Sequence, residues 1–340
     1  MIKPSVDQPF CAATSNPLAT TLAGLKLASP LVLLSGCVGF GDSLTRVAGF
    51  SHAHVGAVIL KGTTLHPCTG AAPPRLAETP AGLLNAIGLQ NPGVHAVVQR
   101  ILPRLDMSQT HYIANVCGGT VEEYREVSAI FDDSPIAAIE LNISCPNIKA
   151  GGIHFGTEPA MAAAVTAACR EVTTKPLLVK LSPSAQPIAA VAQAVIEAGA
   201  DALSAINTVP GLAIDIHRRQ PILGAGGGGL SGPAIRPIAL RKVSEVLSVA
   251  QPAGVPVLGQ GGVSHPEDAL AMLLLGARAV GLGTVLFDDP LAAKRICDGL
   301  LRYLEQHGLP GLDGLCLKES SACSLGTEKP TSVTSHHPPQ

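Results

Sequence analysis

In "ELNISCPNIKAGG" (140–152), Cys145 stands between Asn142 and Asn147, with Ser144 and Pro146 on either side of it. A run of apolar and β-branched residues stops at Asn142, and a Lys-Ala-Gly-Gly turn follows. A thiol can take a proton from carbon when its thiolate is populated, which cationic or amide donors nearby favour. Asparagine side chains both donate and accept, so they suit a ligand edge that carries carbonyl and N–H groups together. Polar residues recur in the same kind of place, at the ends of apolar runs: Ser35-Gly36, Lys61-Gly62-Thr63, Asn115, Lys180, Asn207-Thr208, Gly259-Gln260-Gly261-Gly262 and Gly283-Thr284. Singly, a lysine there snorkels to water and an asparagine caps the next helix. Two lysines, three asparagines and a thiol aimed at one mouth are a site.

The last two of these ends indicate what is bound. "GQGGVSHPEDA" and "GLGTVLF" place glycine amides side by side, where N–H groups without a Cβ approach a phosphate closely. A phosphorylated cofactor follows, and amide-rich, cationic walls suit an electron-rich flavin.

The elements that must hold these residues alternate. The candidate strands are "LVLLS" (31–35), "AVIL" (57–60), "YIANV" (112–116), "IAAIELN" (136–142), "LLVKL" (177–181), "ALSAI" (202–206), "VPVLGQ" (255–260) and "AVGLG" (279–283). They are almost continuously apolar, as strands covered on both faces are. Between them lie helical stretches such as "MAAAVTAACREV", "PIAAVAQAVIEAGA" with Gly199 as its stop, and "HPEDALAMLLLGA" with acidic residues in its first turn. This α/β alternation predicts a TIM (β/α)8 barrel, with a doubly wound open sheet as the rival. Two connections, Lys61 to about Pro92 and Thr208 to about Pro237, are longer than strands and helices require, and both follow a strand's C-terminal end. The expected organisation is an N-terminal extension over 1–18, a catalytic barrel over 19–312 and a disordered, Ser/Thr/Pro-rich tail over 313–340, in which His336 and His337 read as tail rather than metal ligands.

Composition removes other classes. The 340 residues are 46% hydrophobic and only 14% charged, with net charge −2, so no polyanion-binding surface is expected. Aromatics are 3% with no Trp, too few for base-stacking platforms. Mean hydropathy is +0.34, yet no uninterrupted apolar run reaches about 18 residues and the N-terminus lacks a signal-peptide core. A cytoplasmic protein is expected. Nine cysteines from Cys11 to Cys323 contain no C-x-x-C pair, which argues against a disulfide scaffold, a zinc site or an iron–sulfur site in this chain.

The stretches "SGCVGFG" (35–41), "PPRLAETPAGLLNAIGLQNPG" (73–93), "ELNISCPNIKAGGIHFGT" (140–157), "VKLSP" (179–183), "AGADALSAINT" (198–208), "GGLSGPAIRPIALR" (228–241) and "GGVSHPEDALAMLLLGARAVGLGT" (261–284) together resemble the class I, type B dihydroorotate dehydrogenases. The resemblance runs in order over about residues 22–310 and touches every strand end. It implies oxidation of dihydroorotate to orotate in pyrimidine biosynthesis, with one FMN per chain and no metal. It implies that FMN is held by Ser35, Lys61, Gly62, Asn115, Asn142, Lys180, Ile206, Gly232, Gly261, Gly262, Gly283 and Thr284. Substrate contacts implied in the same way are Lys61, Asn85, Ala86, Ile87, Gly88, Leu89, Asn147, Asn207 and Thr208, with Cys145 as the catalytic base. The chemistry agrees: oxidising a dihydropyrimidine removes a proton and a hydride from neighbouring carbons, and no side chain accepts a hydride.

Relatives of that family set the alternatives. Membrane-associated class II enzymes carry serine where this chain has Cys145. In the barrel of dihydropyrimidine dehydrogenase, histidine follows the Ser-Cys-Pro motif, where Asn147 stands here. Type A enzymes, which use fumarate, share the cysteine and differ in surrounding loops. A flavin-binding scaffold or sensor without catalysis would have no use for Lys61, Cys145 and Asn147 together. No G-x-G-x-x-G follows a strand, so the chain has no dinucleotide motif of its own. The resemblance implies a partner subunit carrying FAD and a 2Fe-2S cluster that passes electrons to NAD+, and a homodimer of this chain within a heterotetramer.

Overall fold

The computed structural model describes residues 16–143 and 155–317. Cys145 and Asn147, most of the 1–18 extension and most of the 313–340 tail, with His336 and His337, lie outside the described residues. Eight parallel strands close a barrel: β1 (Leu31–Leu33), β2 (Ala57–Ile59), β3 (His111–Val116), β4 (Ala138–Leu141), β5 (Leu177–Lys180), β6 (Ala202–Ala205), β7 (Val257–Gln260) and β8 (Ala279–Leu282). Each pairs with its sequence neighbour, and β8 pairs with β1 through Val280↔Leu31. This is the barrel expected, with every predicted strand present; β3 starts one residue earlier, at His111, and the others are trimmed to their hydrogen-bonded centres.

Among the described residues six long helices pack outside it: α1 (Val121–Asp132), α2 (Pro159–Arg170), α3 (Ile188–Glu197), α4 (Arg236–Ala250), α5 (Pro266–Leu275) and α6 (Ala292–Gln306). α1 starts on Thr120, whose hydroxyl accepts from the Glu123 amide, and carries Glu122 and Glu123 in its first turn, as the helix dipole favours. α5 stops at Gly276, which takes the left-handed conformation with φ 110°. Among the described residues, no helix is long and apolar enough to cross a membrane.

The period of two along each strand divides the barrel into layers. Val32, Ala57, Ile113, Ala138, Leu178, Ala202, Leu258 and Ala279 face inward as one apolar cluster. A hairpin of Thr20–Leu22 and Leu25–Leu27 plugs the N-terminal end, with Leu22 and Leu27 joining that cluster. Two residues further along the same faces come Asn115, Glu140, Lys180, Ser204 and Gln260, all buried. The barrel interior therefore turns from hydrocarbon to polar on approaching its C-terminal mouth.

The two long connections meet over that mouth. Their strands, Leu76–Thr79, Gly82–Asn85, Val209–Gly211 and Gly228–Ser231, form one antiparallel sheet, with Asn85 opposite Gly229. Ala77, Leu84, Ala86 and Leu223 give it a small core of its own.

Candidate functional site

Lys61 and Gly62 leave the end of β2 half-buried and buried. A Cβ on Gly62 would stand 2.9 Å from Asn115 Oδ1 and 3.1 Å from Cys117 Sγ, so only glycine lets the β2 and β3 ends close together. Leu89, from the first connection, lies at the same point, 3.9 Å from that Cβ position. The segment 85–89 is thereby brought to the mouth. Asn85 donates Nδ2 to the Gly229 carbonyl at 3.1 Å, which ties it into the upper sheet. Ala86 turns into that sheet's core, and Gly88 packs against the backbone of Gly70 and Ala71.

Asn142 follows β4 half-buried. Its Nδ2 donates to Asn115 Oδ1 at 3.4 Å, and its carbonyl accepts from the Tyr124 hydroxyl at 2.8 Å. Lys180, at the end of β5, is 6% exposed and makes no hydrogen bond or ion pair with a described residue. Beside it lies the Cys37 thiol, pushed up to about 11 by burial against the opposing pull of Lys180 and Lys61. Cys37 Sγ also lies 3.4 Å from where a Gly283 Cβ would be, which connects the β1, β5 and β8 ends.

The β6 and β7 ends are stapled to each other. Ile206 N donates to the Gln260 carbonyl at 3.0 Å, and Gln260 Nε2 donates to the Ile206 carbonyl at 3.1 Å. The Ala205–Ile206 peptide is cis. Asn207 and Thr208 follow, with Thr208 N donating to Asn207 Oδ1 at 2.8 Å.

Gly262 has φ 77°, and a Cβ there would meet Arg236 N at 2.8 Å, so the turn lies flat against the start of α4. Arg236 pairs with Asp268, which is 2% exposed and also accepts from the Ser264 and His265 amides at 3.0 and 2.9 Å. Thr284 Oγ1 donates to Ser231 Oγ at 2.8 Å, drawing the β8 end to Ser231-Gly232 of the upper sheet. Ser35 is half-buried in the turn after β1, and a Cβ on the adjacent Gly36 would meet nothing within 4 Å. The structure thus brings the described candidates to one mouth.

Glu140, Ser204, Cys37 and Cys117 are there too and were not singled out from sequence. Glu140 accepts from Asn115 Nδ2 and from Ser204 Oγ, both at 2.6 Å. Its signal was a charged residue inside an apolar strand, two positions before Asn142.

These residues fit a flavin phosphate. The Lys180 side chain is 6% exposed and its ammonium has no acceptor among the described residues, and Gln260 Oε1 is buried without a hydrogen-bond partner among them. A ring edge with alternating carbonyl and N–H groups answers both, and the glycine turns after β7 and β8 accept a phosphate without Cβ obstruction.

Comparison with known proteins gives a concordant result. A family profile described as dihydroorotate dehydrogenase matches residues 17–304. The chain is 47% identical over 298 residues to the "dihydroorotate dehydrogenase B (NAD(+)), catalytic subunit" of Desulforudis audaxviator strain MP104C, covering 87% of this chain and 95% of the relative. Proteins of the same name are 48% identical over 293 residues in Geotalea uraniireducens strain Rf4 (86% of this chain, 94% of the relative) and 45% identical over 302 residues in Enterococcus faecalis strain V583 (88% and 95%).

Proposed function

The chain belongs to the dihydroorotate dehydrogenase family, and on that premise we propose that it is the catalytic subunit of an NAD-linked enzyme that oxidises dihydroorotate to orotate in pyrimidine biosynthesis. Its catalytic unit is the barrel over 19–312, working in the cytoplasm with one FMN per chain. The observation that carries this reading is the Lys180 side chain, 6% exposed and without a hydrogen-bond acceptor among the described residues, set in a mouth of amides and glycine turns.

In this reading Lys61, Asn115, Asn142 and Lys180 hold the flavin ring, and Ser35, Gly62 and Ile206 line it. Gly232, Gly261, Gly262, Gly283 and Thr284 hold its phosphate. FMN, when bound, supplies the hydride acceptor that no side chain can. The chain's own residues do the rest. Asn85 to Leu89, Asn147, Asn207 and Thr208 fix the substrate's carboxylate, carbonyls and N–H groups. Lys61 sets a positive charge against the substrate's carboxylate. Cys145 takes the proton at Sγ from one ring carbon as the hydride leaves its neighbour, so that a carbon–carbon double bond forms and two electrons depart.

Those electrons need an onward path. The relatives are named as catalytic subunits, and in the sequence no G-x-G-x-x-G directly follows a barrel strand and no four-cysteine cluster is present. A partner subunit with FAD and a 2Fe-2S cluster would carry them to NAD+, with this chain forming a homodimer within a heterotetramer.

The test is orotate formation by the purified chain, with an artificial dye and with NAD+ as sole acceptor, alone and with the partner. Dye reduction alone and NAD+ turnover only with the partner are expected. A protein that reconstitutes no flavin overturns the reading, and strong fumarate turnover assigns it to type A. Cys145→Ala should bind FMN and orotate yet reduce the flavin about 10²–10⁴-fold more slowly.

A further inference from the structure

We infer that Glu140 is a positioning residue of the flavin site: its buried carboxylate fixes which way the amides of Asn115 and Asn142 face, and hence the donors and acceptors offered to the ligand. The inference rests on the reading above that these two asparagines contact FMN.

Glu140 is 0% exposed and forms no ion pair with a described residue. Its oxygens reach to different strands, Oε2 accepting from Asn115 on β3 and Oε1 from Ser204 on β6, each at 2.6 Å. Asn115 lies directly opposite Glu140 in the β3–β4 register. An amide's two ends have nearly the same shape, so its neighbours decide its direction. A carboxylate only accepts, so Asn115 must turn Nδ2 towards it and Oδ1 away. On that far side Oδ1 accepts from Asn142 Nδ2 at 3.4 Å and from Cys117 Sγ at 3.6 Å. One carboxylate therefore sets the sense of a hydrogen-bond run from β3 into the end of β4.

Burying a carboxylate without a cation is costly, and a well-packed apolar side chain would stabilise the barrel at least as well. What Glu140 contributes is the polarity it imposes just beneath the mouth.

The experiment titrates flavin-free protein with FMN, following fluorescence quenching and the visible spectrum, with melting of the flavin-free protein recorded alongside. Glu140→Gln can keep the run, because the new amide accepts from Asn115 and donates to the Ser204 hydroxyl, which also accepts. Its Kd for FMN should stay within about threefold of wild type. Glu140→Leu removes the acceptor, and Kd should rise about tenfold or more, with a shifted flavin absorbance maximum. Asn115→Asp sets an acceptor against the carboxylate and should weaken binding similarly. The double variant N115D/E140Q lets the carboxylate at 115 accept from the amide at 140 and should recover most of the loss.

Wild-type affinity in Glu140→Leu, even with a lowered melting temperature, overturns the inference by reducing Glu140 to a structural role. If Glu140→Leu does not fold, failure of N115D/E140Q to recover from Asn115→Asp overturns it instead. Wild-type protein that binds no FMN sinks the proposed function itself, a separate result.

Discussion

The Tyr124 hydroxyl donates to the carbonyl of Asn142 at 2.8 Å, so helix α1 holds the end of β4 three positions before Cys145. The same ring packs edge-on against Phe155, centroids 5.9 Å apart, on the far side of that stretch. Tyr124→Phe keeps the ring and loses the hydrogen bond. Urea unfolding should show a loss of about 1 kcal/mol. Turnover should fall several-fold while FMN affinity, measured on the same protein, changes little. Unchanged stability and turnover would mean the bond contributes nothing.

Asp268 governs the acid limit of the glycine turn. Burial works to raise its pKa, but the Ser264 amide, Arg236 and the His265 amide outweigh burial and hold it below the usual carboxylate range. A depressed folded pKa gives stability that is full above the unfolded value, about 3.9, and lost as pH falls through the folded one. Asp268→Asn should therefore cost about 2 kcal/mol at neutral pH and flatten the stability loss below about pH 4. Denaturant midpoints between pH 3 and 7 check both. An acid limb as steep as wild type would assign the loss to other carboxylates.

Strands were legible because burial on both faces leaves little but β-branched and aliphatic residues, as "LLVK" in β5 illustrates. The mouth was legible for a related reason: in a barrel, polar residues ending such runs can point only to one rim. The sheet over the mouth was not. Its strands are short and glycine-rich, and Gly228–Ser231 pairs with Gly82–Asn85 from the other connection, a long-range contact with no local signal. Glu140 needed its partners, because parity places it inside the barrel while only the distances to Asn115 and Ser204 show its role.

Cys37 stays a thiol across the neutral range. Its pKa is pushed up to about 11, chiefly by burial, despite Lys180 and Lys61. Iodoacetamide at pH 7.5, with labelling read by peptide mass, should modify the exposed Cys316 well before Cys37. Cys37 labelling should rise only as pH approaches 11. Fast Cys37 labelling at pH 7.5 would show that the lysines outweigh burial.

Gly262 tests the turn itself. With φ 77° and an added Cβ at 2.8 Å from the Arg236 amide, alanine meets both strain and backbone. Gly262→Ala should lose about 2 kcal/mol or more of stability and release FMN readily on gel filtration. Gly36→Ala, at φ 91° but facing open space, should cost only about 1 kcal/mol. Equal losses at the two positions would show that φ alone decides.

Lys180 separates the cost of the ligand-free protein from the gain on binding. Its side chain is 6% exposed and makes no hydrogen bond or ion pair with a described residue, and Lys61 acts on the same Cys37 thiol with the same charge. An ammonium on a largely enclosed side chain with no protein acceptor adds little to the fold, and a ligand that supplies an acceptor gains from it. Lys180→Met keeps the length and volume and removes the charge. Without FMN, the variant should melt at or above the wild-type temperature. Added FMN, which stabilises in proportion to the logarithm of its concentration over Kd, should raise the melting temperature much less in the variant than in wild type. Thermal shift across an FMN series reads both quantities at once. A variant that is less stable without FMN and gains as much from it would show that Lys180 is satisfied within the protein and takes no part in holding the flavin.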